Sequence, residues 1–142
     1  NNPSPTGFES EGQKLWLDYI KPFVDDYITD NYGSVAGIIN PGKEYKVVIE
    51  AHADEISWFV NYITDDGYIY VIRNGGSDHQ IAPSKDVIIH TKKGIVKGVF
   101  GWPAIHTRTA GKEEPPKLEN ICIDVGAKDK KEVENVCLMT DP

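Results

Sequence analysis

The sequence has 142 residues, of which 26% are charged and 39% hydrophobic, and its formal net charge at pH 7 is −7. This composition supplies enough apolar side chains for a packed core and excludes an intrinsically disordered chain. The acidic balance, without a Lys/Arg cluster, argues against a nucleic-acid-binding protein. No apolar run approaches the roughly 18 residues of a membrane-spanning helix.

The two cysteines, Cys122 and Cys137, stand in apolar stretches without a zinc-knuckle spacing. Two cysteines in a chain of this length do not make a disulfide framework, so both are expected to be reduced and buried. The N-terminus has no basic start followed by an apolar run, so no signal peptide is expected. These features predict a cytoplasmic protein that binds neither nucleic acid nor membranes.

The first third of the chain predicts a helix followed by a pair of short strands. Residues 8–20 place apolar side chains near helical spacing, with Thr6 or Ser10 as candidate N-cap. Pro22 is expected to end or kink this helix. The two strands are expected on either side of a turn at residues 31–33.

Residues 45–52, YKVVIEAH, form a nearly all-apolar run with many β-branched side chains. Such a run is typical of a strand that is buried on both faces of a sheet. A helix followed by a strand of this kind indicates the edge of an α/β layer structure.

After residue 56 the pattern changes to short strands joined by tight turns. Turns at Asp65-Asp66-Gly67 and at Lys93-Gly94 each predict a hairpin. Residues 119–126 predict one more short strand, and residues 128–136 a brief charged helix. Short strands with almost no helix favour a small β-barrel or sandwich. Between them lies a long loop, residues 101–117, which is rich in Gly, Pro and charge and is expected to be functional or mobile.

The apolar run ends in three ionisable side chains, His52, Asp54 and Glu55. Residues i and i+2 of a strand point to the same side, so His52 and Asp54 can project together. A neutral imidazole is a good zinc or cobalt ligand, and a carboxylate commonly fixes the tautomer of a ligating histidine. From the spacing alone, a metal site and a metal-free His–Asp pair both remain open.

A series of motifs occurs in one order along the chain: SPTGFE, GSVAGI, AHADEI, YITDDGYIYV, NGGSDHQ, VIIHTKKG, GVFGWPAIH and IDVGAKDKKEVE. In this order they resemble the M42 metallo-aminopeptidases, a family that includes glutamyl and deblocking aminopeptidases and relatives described as cellulases. The resemblance covers nearly the whole chain, which corresponds to about the first two fifths of a family-length protein.

The resemblance implies a catalytic α/β domain into which a small β-barrel dimerisation domain is inserted. Residues 1–57 would be the first part of the catalytic domain and residues 58–142 the inserted barrel. This boundary coincides with the change of pattern described above.

By the same resemblance, His52 binds one of two divalent metal ions, zinc or cobalt, and Asp54 is the catalytic aspartate beside it. Glu55 has no direct metal role and is expected to make hydrogen bonds. His106 lies in a motif similar to the family's Pro-Pro-His and is a candidate for a substrate-side or interface role in a homo-oligomer.

The implied function is the N-terminal portion of a dinuclear-metal aminopeptidase that cleaves peptides with metal-activated water. The bridging carboxylate, the further ligands and the general base of the family have no counterpart in this chain, so the chain alone is expected to be inactive. One alternative is a non-catalytic assembly module derived from the family. Glycoside hydrolysis is a weaker alternative, because a His-x-Asp is not the carboxylate pair that glycosidases need.

Overall fold

The computed structural model describes residues 2–109, 111, 114–138 and 141–142. The chain divides into two compact units, Asn1–Ile56 and Ser57–Pro142. The first unit contains a helix, a short 3₁₀ helix and two strands: α1 (Ser10–Ile20), the 3₁₀ helix Lys21–Phe23, β1 (Asp26–Thr29) and β2 (Val35–Ile38).

Helix α1 follows the predicted pattern, although its predicted cap is wrong. Its N-cap is Glu9, whose side chain makes no capping hydrogen bond, and neither Thr6 nor Ser10 takes that place. The Thr6 hydroxyl is used elsewhere, because it contacts Asp54. The helix ends at Ile20, and the 3₁₀ turn that contains Pro22 follows it, as the sequence predicted.

The predicted pair of strands is confirmed as an antiparallel hairpin of β1 and β2, with register from Asp26↔Ile38 to Thr29↔Val35. Its turn is held by Asp30, whose Oδ1 accepts from the backbone N–H groups of Tyr32 and Ser34, each at 2.9 Å. The hydrogen bonds from Ser34 lower the pKa of the Asp30 carboxyl. This local side-chain turn explains why the sequence alone located the hairpin.

The predicted strand over residues 45–52 is wrong for this chain. None of the described strands pairs with these residues, and the side chains of Val47, Val48 and Ile49 are 73%, 82% and 95% exposed. A strand that is buried on both faces depends on neighbouring strands for its backbone hydrogen bonds. Without such neighbours, β-branched composition does not by itself form a strand.

The second unit is built around one antiparallel sheet in the order β3-β4-β7-β6-β5. Its elements are β3 (Ser57–Ile63), β4 (Ile69–Asn74), β5 (Asp86–Thr91), β6 (Gly94–Gly101), β7 (Cys122–Asp124) and α2 (Lys130–Glu134), with 3₁₀ turns at Ile105–Thr107 and Leu118–Asn120. Both predicted hairpins, the late strand and the charged helix are confirmed.

The sheet is curled, and its two edge strands are linked through the last residues of the chain. The backbone N–H of Val60 on β3 donates to Asp141 O at 3.0 Å, and that of His90 on β5 donates to Pro142 O at 2.7 Å. Among the described residues β3 and β5 do not pair directly with each other. The chain therefore has a mixed α/β fold with a curled sheet, and within the described ranges no ladder joins β3 to β5.

The core lies on the inner face of the curled sheet. Its central contacts are the cross-strand pairs Ile69↔Ile123 and Phe100↔Ile123, all of them buried. Helix α2 adds the fully buried Val133. Trp58 packs its ring edge-on against Phe100 at a centroid distance of 5.4 Å, which is a favourable aromatic geometry.

Both cysteines are free thiols. Cys137 is buried as expected, and burial raises the pKa of its thiol to about 11. Cys122 is half-buried rather than buried, and its pKa is raised for the same reason. The described part of the chain contains no helix with the length and apolar character that crossing a membrane requires.

Candidate metal-binding and catalytic site

His52 and Asp54 contact each other at the end of the apolar run. His52 Nδ1 lies 2.8 Å from the backbone carbonyl oxygen of Asp54 and 3.0 Å from its Oδ1. Both neighbours are oxygen acceptors, so in the neutral ring Nδ1 must carry the proton. Nε2 then holds the lone pair, on a side chain that is 84% exposed.

Each carboxylate oxygen of Asp54 has its own donor. Oδ1 faces His52 Nδ1, and Oδ2 accepts from Thr6 Oγ1 at 2.8 Å. The Thr6 hydrogen bond lowers the pKa of the Asp54 carboxyl, the partial desolvation of the group acts in the opposite sense, and the His52 ring lowers the pKa further. Asp54 is therefore a carboxylate at neutral pH, which suits an acceptor for His52 Nδ1–H.

The N-terminal segment runs beside residues 54 and 55. Ser4 N donates to Glu55 Oε1 at 2.8 Å and Glu55 N donates to Ser4 O at 2.9 Å, next to a parallel bridge between Pro5 and Glu55. Glu55 thus makes hydrogen bonds, as expected. A Cβ at Gly12 of α1 would collide with the Ser4 hydroxyl, so the helix packs closely on this segment.

These residues fit one ligand position of a metal ion. The exposed Nε2 lone pair of His52, with Nδ1–H held by a carboxylate, is the usual arrangement of a metal-binding histidine. Among the residues that the structure describes, no group of three or more His, Cys, Asp or Glu side chains could enclose an ion.

His106 belongs to the other unit and lies exposed on the 3₁₀ turn Ile105–Thr107. This turn is organised by its own neighbours. The Arg108 guanidinium stacks 3.9 Å from the centroid of the Trp102 ring, and Arg108 Nε donates to Pro103 O at 2.9 Å. Residues 102–108 are thus held locally, while positions 110, 112 and 113 of the predicted loop lie outside the described residues.

Sequence reasoning missed two contacts, Thr6 with Asp54 and Arg108 with Trp102. Thr6 and Asp54 are 48 positions apart, and no local pattern joins them. The only available signal was the position of Thr6 inside the SPTGFE motif. Trp102 and Arg108 stand six positions apart in the predicted loop, and no sequence pattern pointed to their contact.

Comparison with known proteins decides the family. A family model described as M42 glutamyl aminopeptidase matches residues 33–141, well over half of the chain. The chain belongs to this family.

This M42 chain is 32% identical, over 138 residues, to the lysyl aminopeptidase of Pyrococcus furiosus, and the match covers 95% of the chain and 40% of that protein. The TET aminopeptidase from the marine sediment archaeon Thaumarchaeota archaeon SCGC AB-539-E09 has the same fold, with a TM-score of 0.92 and 26% identity. That match covers 99% of this chain and 40% of the other.

A third similar structure is the TET1 peptidase of Pyrococcus horikoshii, which can assemble into a tetrahedron or a large octahedral shell. Its TM-score is 0.85 at 28% identity, and the match covers 99% of this M42 chain and 42% of the other chain. This chain therefore spans about two fifths of the length of the proteins that it matches.

Proposed function

We propose that this chain is the N-terminal part of a metal-dependent aminopeptidase that removes N-terminal residues from peptides. The observation that carries the proposal is the His52–Asp54 contact, in which the neutral ring is protonated on Nδ1 and leaves Nε2 exposed. Membership of an aminopeptidase family supports the reaction class. The proposed location is the cytoplasm.

In the proposed enzyme, His52 Nε2 binds one of two divalent ions, either zinc or cobalt. When bound, such ions polarise the peptide carbonyl and activate water. This chain has two roles in the site: His52 supplies the imidazole lone pair, and Asp54 holds the ring in place. Asp54 does so because its Oδ1 and its backbone carbonyl oxygen both face Nδ1–H.

The other ligands and the general base are proposed to come from the rest of a family-length protein, of which this chain spans about two fifths. The exposed run Val47–Ile49 supports this arrangement, since its β-branched side chains suit a sheet that the remaining chain would complete. Residues 1–57 would then be the first part of the catalytic domain.

A family-length protein that carries this sequence is expected to release amino acids from aminoacyl p-nitroanilides. Chelation should abolish the release and zinc or cobalt should restore it, whereas the 142-residue chain alone should be inactive with either metal. The measurement is steady-state absorbance before and after chelation. A family-length protein that is inactive with every divalent metal, yet still assembles, would instead favour the non-catalytic assembly module.

We further propose that residues 58–142 mediate homo-oligomerisation. Exposed apolar side chains on a sheet are candidates for an interface. In this sheet they are Tyr62, Ile72, Ile88, Ile95 and Val99. The TET1 peptidase of Pyrococcus horikoshii, which shares the fold, assembles into shells.

The chain is therefore expected to sediment at micromolar concentration with at least twice its monomer mass of 15.8 kDa. Analytical ultracentrifugation over a concentration series measures this mass. A species that stays monomeric at the highest concentration would contradict the assignment of this surface.

His106 is proposed to contact substrate or a neighbouring subunit. The Trp102–Arg108 stack holds its turn without using the imidazole, so His106→Ala should leave the fold and the metal content unchanged. Turnover by the assembled family-length enzyme should fall, and the chain should become no more sensitive to trypsin at Arg108.

The matched control is His79→Ala, which removes a histidine whose contact is with Arg73 on the sheet. Steady-state kinetics on both variants gives the comparison. Identical kinetics for wild type and His106→Ala would remove His106 from the functional residues.

A further inference from the structure

Thr6 lies in the SPTGFE motif, to which the mechanism proposed above assigns no role. Its hydroxyl oxygen lies 2.8 Å from Asp54 Oδ2 and 3.3 Å from the backbone carbonyl oxygen of Glu55. A hydroxyl has one proton to donate, and the nearer, charged acceptor makes the stronger hydrogen bond. The Thr6 proton is therefore assigned to Asp54.

The second donor matters because the terminal torsion of an aspartate is soft. The χ2 angle of Asp has a broad distribution, so one hydrogen bond to Oδ1 does not fix the plane of the carboxylate. With His52 on Oδ1 and Thr6 on Oδ2, both oxygens are held and the plane is defined. Oδ1 is then kept facing Nδ1 of the imidazole.

Thr6 is itself held in place by the backbone. Its N–H donates to Glu55 O at 3.3 Å, and the reciprocal Ser4–Glu55 hydrogen bonds fix the preceding residues. Ser4 is only 7% exposed and lies against Gly12 of α1. These contacts hold the N-terminal segment beside Asp54, and the Thr6 hydroxyl therefore faces the carboxylate.

We propose that Thr6 is a positioning residue, which orients the Asp54 carboxylate and through it holds His52 in the Nδ1–H tautomer with Nε2 available for a metal ion. The backbone carbonyl oxygen of Asp54 also accepts from Nδ1–H at 2.8 Å, so Thr6 acts on the carboxylate half of this contact. The use of this relay from Thr6 to Asp54 to His52 in metal binding rests on the proposed function.

The relay is tested by the tautomer of His52, read from long-range proton–nitrogen NMR spectra of the ¹⁵N-labelled chain at a pH where the ring is neutral. The wild type should give the Nδ1–H pattern. Thr6→Val has nearly the same shape without the hydroxyl, and it should shift the tautomer ratio measurably toward the Nε2–H form, while the Asp54 backbone carbonyl oxygen still accepts from Nδ1–H in part of the population. Thr6→Ser keeps a hydroxyl and should retain the wild-type pattern.

Ser4→Ala is the matched control, since it alters the same segment and leaves the Thr6 hydroxyl intact. Its His52 pattern should equal that of the wild type. If Thr6→Val does not fold, Thr6→Ala gives the same measurement with a smaller side chain. An unchanged Nδ1–H pattern without the hydroxyl, or an equal loss in Ser4→Ala, would overturn the proposal.

A second measurement separates this proposal from the proposed function. In the family-length protein, Thr6→Val should lower kcat, by less than the about 10–100-fold that losing the direct partner of a metal-binding histidine costs, and Thr6→Ser should restore it. If the tautomer changes in Thr6→Val while His52→Ala retains its metal, the proposed function fails and the relay stands. If His52→Ala loses its metal while Thr6→Val keeps the tautomer, the relay fails and the function stands.

Discussion

His52→Ala is expected to strip metal from a family-length protein that carries this chain and to abolish its aminopeptidase turnover. The substitution removes the exposed Nε2 lone pair, which we propose binds the metal ion. Loss of an outer partner alone costs about 10–100-fold in metal affinity or activity, so loss of a direct ligand should exceed that range. Metal content by mass spectrometry and turnover on the same preparation measure both effects.

Two variants make this result specific. Asp54→Asn keeps the imidazole and should lower metal content less, while turnover still falls severely because the ring loses its charged acceptor. His79→Ala removes a different histidine and should keep both properties. A His52→Ala protein with full metal and full turnover would refute the role assigned to His52.

Ile123→Ala is expected to cost about 2–5 kcal/mol in the free energy of unfolding, the range for removing a large aliphatic side chain from a packed core. Ile123 lies on the strand β7, inside the sheet, is 2% exposed and pairs across the sheet with Ile69 and Phe100. A Cβ at Gly98 would lie 2.6 Å from its Cγ2, so its surroundings are already tightly packed.

Ile95→Ala is the matched control, because it makes the same chemical change on β6 of the same sheet at a side chain that is 64% exposed. It should change stability by less than about 0.5 kcal/mol. Urea unfolding followed by tryptophan fluorescence gives the midpoints, with Trp58 reporting on the core beside Phe100. Equal midpoint shifts for the two variants would contradict the location of the core.

The sequence predicted the parts of the fold whose causes are local. The turns at Asp65-Asp66-Gly67 and beside Lys93 stand between strands in the structure, because turn residues act through their own backbone. The strand predicted over residues 45–52 failed because pairing depends on partner strands, which no local pattern supplies.

In the candidate site, too, the local contact was expected from the sequence and the long-range contact was not. His52 and Asp54, two positions apart, were expected to project together, and they do contact each other, although the backbone between them is not part of a strand. Thr6 could not be assigned to Asp54 from sequence, because the two meet only after the N-terminal segment has folded beside residues 54 and 55. Their roles in metal binding and catalysis remain proposals.

The hydrogen bonds of Asp141 and Pro142 have a consequence for the behaviour of the protein at high concentration. An exposed sheet edge presents unpaired amides that can template pairing with another chain and lead to aggregation. Here one amide on each edge strand, Val60 on β3 and His90 on β5, already donates to a carbonyl of the same chain. At these two positions the amide is therefore not available to pair with a strand of another chain.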